Sequence, residues 1–113
     1  MIVKRLITGL SLAWCALCSL GAAAEQTVTV GSKNFGESYL LAEIAAQVLE
    51  AKGFVVVRQL GLGGTLICYE ALKNGEIDLY PEYTGTLSQA VLNMPGNPGR
   101  GQINEALVAD GLE

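Results

Sequence analysis

The chain has 113 residues, three cysteines, no histidine and a formal net charge of −4, a length that suits one small domain rather than two. Lacking imidazole and, beyond position 24, any pair of cysteines, it offers no histidine-based triad, no soft-ligand metal centre and no dithiol redox couple. The acidic balance leaves no basic face of the kind that phosphate binding requires, which argues against a nucleic-acid partner.

At the start of the chain, Lys4 and Arg5 form a positive n-region, Leu6 to Leu20 an apolar h-region and Ala22-Ala23-Ala24 a small-residue processing site. This is the organisation of a secretory signal peptide. The apolar stretch is shorter than the roughly 20 residues that span a bilayer, so cleavage after Ala24 is expected over an uncleaved anchor. Residues 1–24 are then the signal peptide and 25–113 the exported part. Cleavage removes Cys15 and Cys18, leaving Cys68 alone in an apolar run where a buried small side chain is expected. It also leaves five basic against eleven acidic residues, a net charge of −6.

Thr27 to Val30 alternates β-branched residues and predicts a short strand, followed by a polar loop at Gly31-Ser32-Lys33-Asn34. From Glu37 to Lys52 the residues Leu40, Leu41, Ile44, Val48 and Leu49 recur at helical spacing and predict an amphipathic helix with one buried face, stopped by Gly53. Phe54 to Leu60, with its continuous Val55-Val56-Val57, reads as a strand covered on both faces. Gly61-Leu62-Gly63-Gly64-Thr65 leads into a second helix over Leu66 to Asn74. These glycines lack the Gly-Lys-Ser/Thr ending of a nucleotide loop, and a tight strand-to-helix turn accounts for them.

Gly75 ends that helix, Ile77 to Tyr80 predicts a third strand, and Pro81 stops it. Leu87 to Leu92 and Gln102 to Ala109 read as helices on either side of a loop rich in proline and glycine. Strands alternating with helices over short connections predict an α/β fold with three parallel strands and flanking helices. More helix is predicted than three strands can cover, so further sheet is expected from a downstream segment or a partner.

The run Glu76 to Thr86, EIDLYPEYTGT, places two tyrosines and two threonine hydroxyls at or past the end of the third strand. In open α/β sheets ligands sit at that end. Lys33 follows the first strand and can reach over the same edge. A loop lysine is ordinarily only solvated, and Tyr39, Tyr80 and Tyr83 also suit core or interface packing. An aromatic face beside a hydroxyl and a cation is, however, what a zwitterion requires: rings attract a quaternary ammonium, by about 0.5 to 2 kcal/mol each, and lysine and threonine hold a carboxylate. No residue set for catalysis and no cofactor site is found.

The stretches VGSKNFGES, LLAEIAAQVLEAKGF and LGLGGTLICYEALKNGEIDLYPEYTGT resemble the N-terminal part of the glycine betaine/choline/carnitine-binding proteins of osmoprotectant ABC transporters, which are type II periplasmic binding proteins. The similarity runs from Thr27 to Thr86 and continues more weakly to Glu113. It implies two α/β lobes joined by a hinge, of which this chain carries a partial first lobe and lacks the second. It implies a periplasmic or extracytoplasmic protein that is not an enzyme, closes on betaine, choline or carnitine, and hands it to a membrane permease subunit. By the same resemblance Lys33 and Thr86 hold the ligand carboxylate, Tyr83 faces its methylated nitrogen, and Tyr80 stands behind them. Gly36 and Ser38 replace a threonine and a glutamine common in the family. A receptor fragment for another small cation or an amino acid, or a secreted remnant that binds nothing, is the alternative.

Overall fold

A computed structural model describes residues 1–4 and 24–113; the apolar segment, Ala22 and Ala23 of the expected signal peptide, with Cys15 and Cys18, lie outside the described residues. In chain order come β1 (Ile2–Val3), β2 (Thr27–Lys33), α1 (Gly36–Ala51), β3 (Val55–Gly63), α2 (Thr65–Lys73), β4 (Leu79–Tyr80), a short α3 (Thr84–Thr86) running into a π-helical turn at Leu87–Val91, and α4 (Arg100–Ala109). The expected β-α-β-α-β core is present, with β2 parallel to both β3 and β4.

The sheet order is β1-β4-β2-β3. The chain therefore steps from β2 to β3 on one side, then passes back beyond β2 to form β4 on the other. That reversal makes the C-terminal ends of β2 and β4 a topological switch point, where the diverging connections leave a crevice.

Two apolar clusters lie against the sheet. Val30 and Leu79 meet Ala42 and Ala46 of α1, while Ile77 and Tyr80 join Cys68 and Leu72 of α2 and Ile103 and Leu107 of α4. Leu79 and Tyr80 belong to different clusters, as neighbouring residues on a pleated strand should. The face of α1 that touches the sheet differs from the expected one: Ser38, Ala42 and Ala46 are buried, whereas Leu40, Ile44 and Val48 are exposed. Small side chains let the helix backbone approach the sheet closely, which turns the large ones outward. Leu41, Ile44 and Val48 line a shallow apolar groove of about 650 Å³ shared with Val3, Leu79 and Pro81.

Strand β3 runs three residues further than the sequence suggests, through a register shift against β2 between Gly31 and Lys33. Gly61 sits in this irregular stretch at φ +72°, a conformation that favours glycine. A Cβ there would stand 2.5 Å from the Tyr39 hydroxyl. The Gly61 N–H donates to Ser32 Oγ at 2.8 Å. At the outer edge Arg58 of β3 donates to Glu43 at 2.8 Å and to Glu50 at 2.7 Å, clipping the strand to α1. These bonds hold the Glu43 carboxyl at about 2, below its ordinary 4.5.

The described N-terminal residues join the sheet. Ile2 and Val3 pair antiparallel with Tyr80 and Leu79, and Val3 exchanges backbone hydrogen bonds with Glu113 at 2.7 and 2.8 Å. Ile2 is only 2% exposed. Two β-branched or apolar side chains suit this slot, because the far side of β4 is otherwise an open edge over an apolar cluster.

Candidate ligand-binding site

The site is built where the switch point places it. Lys33 is the last residue of β2, and its backbone N–H donates to Ser38 Oγ at 2.9 Å. Ser38, at the start of α1, thus fixes the strand end. Phe35 follows with extended backbone and leads into α1. From the neighbouring strand, Pro81 ends β4, and Glu82 and Tyr83 continue in the crevice before α3 begins.

Lys33 and Tyr83, two of the three residues singled out from the sequence, are brought together. The Lys33 Nζ lies 5.3 Å from the centroid of the Tyr83 ring and 5.3 Å from that of Phe35, within the range of cation–π attraction. Thr86 is half-buried in α3 and makes no side-chain hydrogen bond to Lys33 or Tyr83 among the described residues. Tyr80, expected to stand behind the others, is fully buried. Burial, and secondly the charge of Glu82, push its phenol pKa well above the ordinary value.

Glu82, Phe35, Thr65 and Glu37 were not singled out from the sequence. The Glu82 carboxylate is completely buried and lies 2.5 Å from Lys33 Nζ, whose side chain is 7% exposed. The same oxygen accepts the Tyr83 backbone N–H at 2.9 Å, and its partner oxygen accepts the Tyr80 hydroxyl at 3.3 Å. Lys33 Nζ also donates to Thr65 Oγ1 at 3.5 Å. The nearby Glu37 carboxylate, ahead of desolvation, raises the Tyr83 phenol pKa. An acid directly after Pro81 in a strand-end run was the available signal for Glu82, and an aromatic two residues past Lys33 the signal for Phe35.

The arrangement is a buried ion pair capped by two aromatic rings that remain open on their outer sides, Phe35 at 40% and Tyr83 at 39% exposure. Its chemistry is that of holding a charge. Cys68 lies beneath with no exposure, its Sγ 3.5 Å from the Ser32 carbonyl oxygen; burial first, then the Glu82 charge, raises its thiol pKa. It occupies the buried, small-side-chain role expected of it. Among the described residues no group of three His, Cys, Asp or Glu is placed to hold a metal ion.

Residues 26–109 match the family described as the substrate binding domain of ABC-type glycine betaine transport system. The chain is 39% identical over 84 residues to the glycine-betaine-binding protein of Pseudomonas aeruginosa, covering 74% of this chain and 27% of that protein. It is 45% identical over 75 residues to the glycine betaine-binding protein YehZ of Escherichia coli, covering 66% of this chain and 25% of YehZ. The structure of apo YehZ superposes with a TM-score of 0.62 at 33% identity, over 78% of this chain and 32% of that one. The chain thus spans about a quarter of the length of these curated relatives. The match covers both strands that form the crevice and the whole of the Lys33–Tyr83 cluster, and the chain belongs to the family of substrate-binding domains of ABC-type glycine betaine transport systems.

Proposed function

We propose that this chain is the N-terminal part, residues 25–113 after a signal peptide over 1–24, of the substrate-binding component of an ABC transporter for glycine betaine or a related quaternary ammonium compound such as choline or carnitine. It binds and delivers its ligand to a permease subunit outside the cytoplasm and performs no chemistry on it. In support, the names of the relatives above carry the same ligand.

The observation that carries the reading is the pair of rings around an ammonium. Phe35 and Tyr83 already attract one cation, Lys33, at 5.3 Å each, and their outer faces are open to a second. In the bound state Tyr83 faces the methylated nitrogen, while Lys33 and Thr86 take the carboxylate. The two open rings contribute about 2 kcal/mol each at most, and two carboxylate contacts add to them against an association cost of roughly 4 kcal/mol or more. This chain alone therefore binds betaine weakly. The test is an NMR titration with glycine betaine at high millimolar concentration, with glycerol as a neutral control. Shifts confined to Lys33, Phe35, Tyr83 and Thr86 are expected with betaine only. No localised response, or the same response to glycerol, would remove the reading.

A further inference from the structure

We propose that Glu82 is a positioning residue of this site: it aims the Lys33 ammonium between Phe35 and Tyr83, so that Lys33 serves as a fixed donor to the carboxylate of a zwitterionic ligand. The inference rests on the quaternary ammonium reading for the ligand and on the structure for the positioning.

An ammonium has three N–H donors. Glu82 takes one at 2.5 Å and Thr65 is placed to take a second at 3.5 Å; the third is left between the two rings. A lysine held only by its backbone would instead spread over several rotamers and place its charge in water. Glu82 also ties the other components to the same point. One oxygen holds Lys33 and the Tyr83 backbone, the second holds the Tyr80 hydroxyl, so cation, ring and strand end are registered by a single buried carboxylate.

The charge arithmetic has a second effect. Paired with Glu82, Lys33 adds no net charge at the ring faces, so it does not repel the methylated nitrogen of the ligand, yet its free N–H still meets a carboxylate. A ligand with both groups gains from both features; a bare cation gains only from the rings.

The experiment uses the full chain and two variants, Glu82→Gln, which keeps the shape and removes the charge, and Glu82→Asp, which keeps the charge and retracts it by one methylene. First, amine acylation by an activated ester is followed residue by residue in mass spectra. In Glu82→Gln, Lys33 should react about tenfold faster, the order expected from loss of a charge-assisted hydrogen bond, with Lys52 and Lys73 unchanged and Glu82→Asp intermediate. Second, NMR titrations compare glycine betaine with tetramethylammonium. Glu82→Gln should weaken betaine severalfold more than tetramethylammonium, which loses only the neutralisation of Lys33, whereas betaine loses the aimed donor as well.

Acceleration of all three lysines together would mean that Glu82 merely stabilises the fold, and would overturn the inference. So would equal weakening of both ligands, or an unchanged Lys33 rate with betaine binding intact. Faster Lys33 labelling in Glu82→Gln, with no betaine response in the unmodified chain, would uphold the holding of Lys33 and overturn the ligand reading together with the carboxylate half of the proposal.

Discussion

The stability of the unprocessed chain, before the proposed loss of residues 1–24, should depend on its first four residues. Ile2 is 2% exposed and sits in the cluster that contains Cys68, Leu72 and Tyr80; truncation of such a side chain to alanine costs about 2–5 kcal/mol. Val3 adds two backbone hydrogen bonds to Glu113 and Lys4 one to Asp78 at 3.2 Å, each worth about 0.5–1.5 kcal/mol net. Removing residues 1–24 should therefore cost about 3.5–9.5 kcal/mol, a large share of the roughly 5–15 kcal/mol that keeps a typical domain folded. Urea unfolding followed by circular dichroism measures it. With a slope of about 1–2 kcal/mol/M, the 25–113 chain should unfold at least about 1.5 M earlier than the 1–113 chain. Ile2→Ala in the longer chain should shift the midpoint by about 1 M or more. Leu66→Ala, at a side chain 61% exposed, should change stability by less than about 0.5 kcal/mol. Coincident midpoints for the 1–113 and 25–113 chains would refute the packing of β1 against β4.

Further outcomes follow from the site and the sheet edge. Lys33→Met leaves the Glu82 carboxylate buried and unpaired and should destabilise by about 3–5 kcal/mol, with much of the loss recovered in the Lys33→Met/Glu82→Gln double variant; a double variant no more stable than the single one would count against the pair. Tyr83→Ala and Phe35→Ala should each reduce the betaine-induced NMR shifts more than Tyr39→Ala, whose hydroxyl abuts Gly61 outside the ring pair; equal losses would argue against the cage. Because Arg58 holds Glu43 at about 2 against an ordinary 4.5, its contribution to stability is complete above pH 4.5 and fades as pH falls towards 2. Arg58→Ala should flatten the stability–pH curve only slightly in that window, because the pair is exposed and screened, and an unchanged curve would show the clip to be inert.

The order of strands and helices was legible because alternation in Thr27 to Val30, helical spacing in Leu40 to Leu49 and the stops at Gly53 and Gly75 each act locally. The meeting of Lys33 with Tyr83 was legible too, since both follow the C-terminal ends of strands that such a topology makes neighbours. Glu82 was not. An acid beside tyrosines reads as solvated until a buried cation is found opposite it, and that cation lies 49 positions away. The sheet-facing side of α1 was misjudged because hydrophobic spacing marks the large side chains, whereas close approach to a sheet selects small ones such as Ala42 and Ala46. The end of β3 was missed where alternation breaks at Gly61, and β1 because its residues read as a leader.

The Arg58 clip bears on solubility more than on folding. Strand β3 is the outer edge of the sheet and presents Val55, Val57 and Leu60, all exposed, a β-prone run without proline of the sort that recruits strands from other molecules. Arg58 interrupts that run with a charge anchored by two glutamates. Exposed ion pairs of this type add little to stability, but a fixed charge in the middle of an open edge acts as a gatekeeper against stacking. The Arg58→Ala chain would be expected to melt close to the unmodified one and yet precipitate at lower concentration.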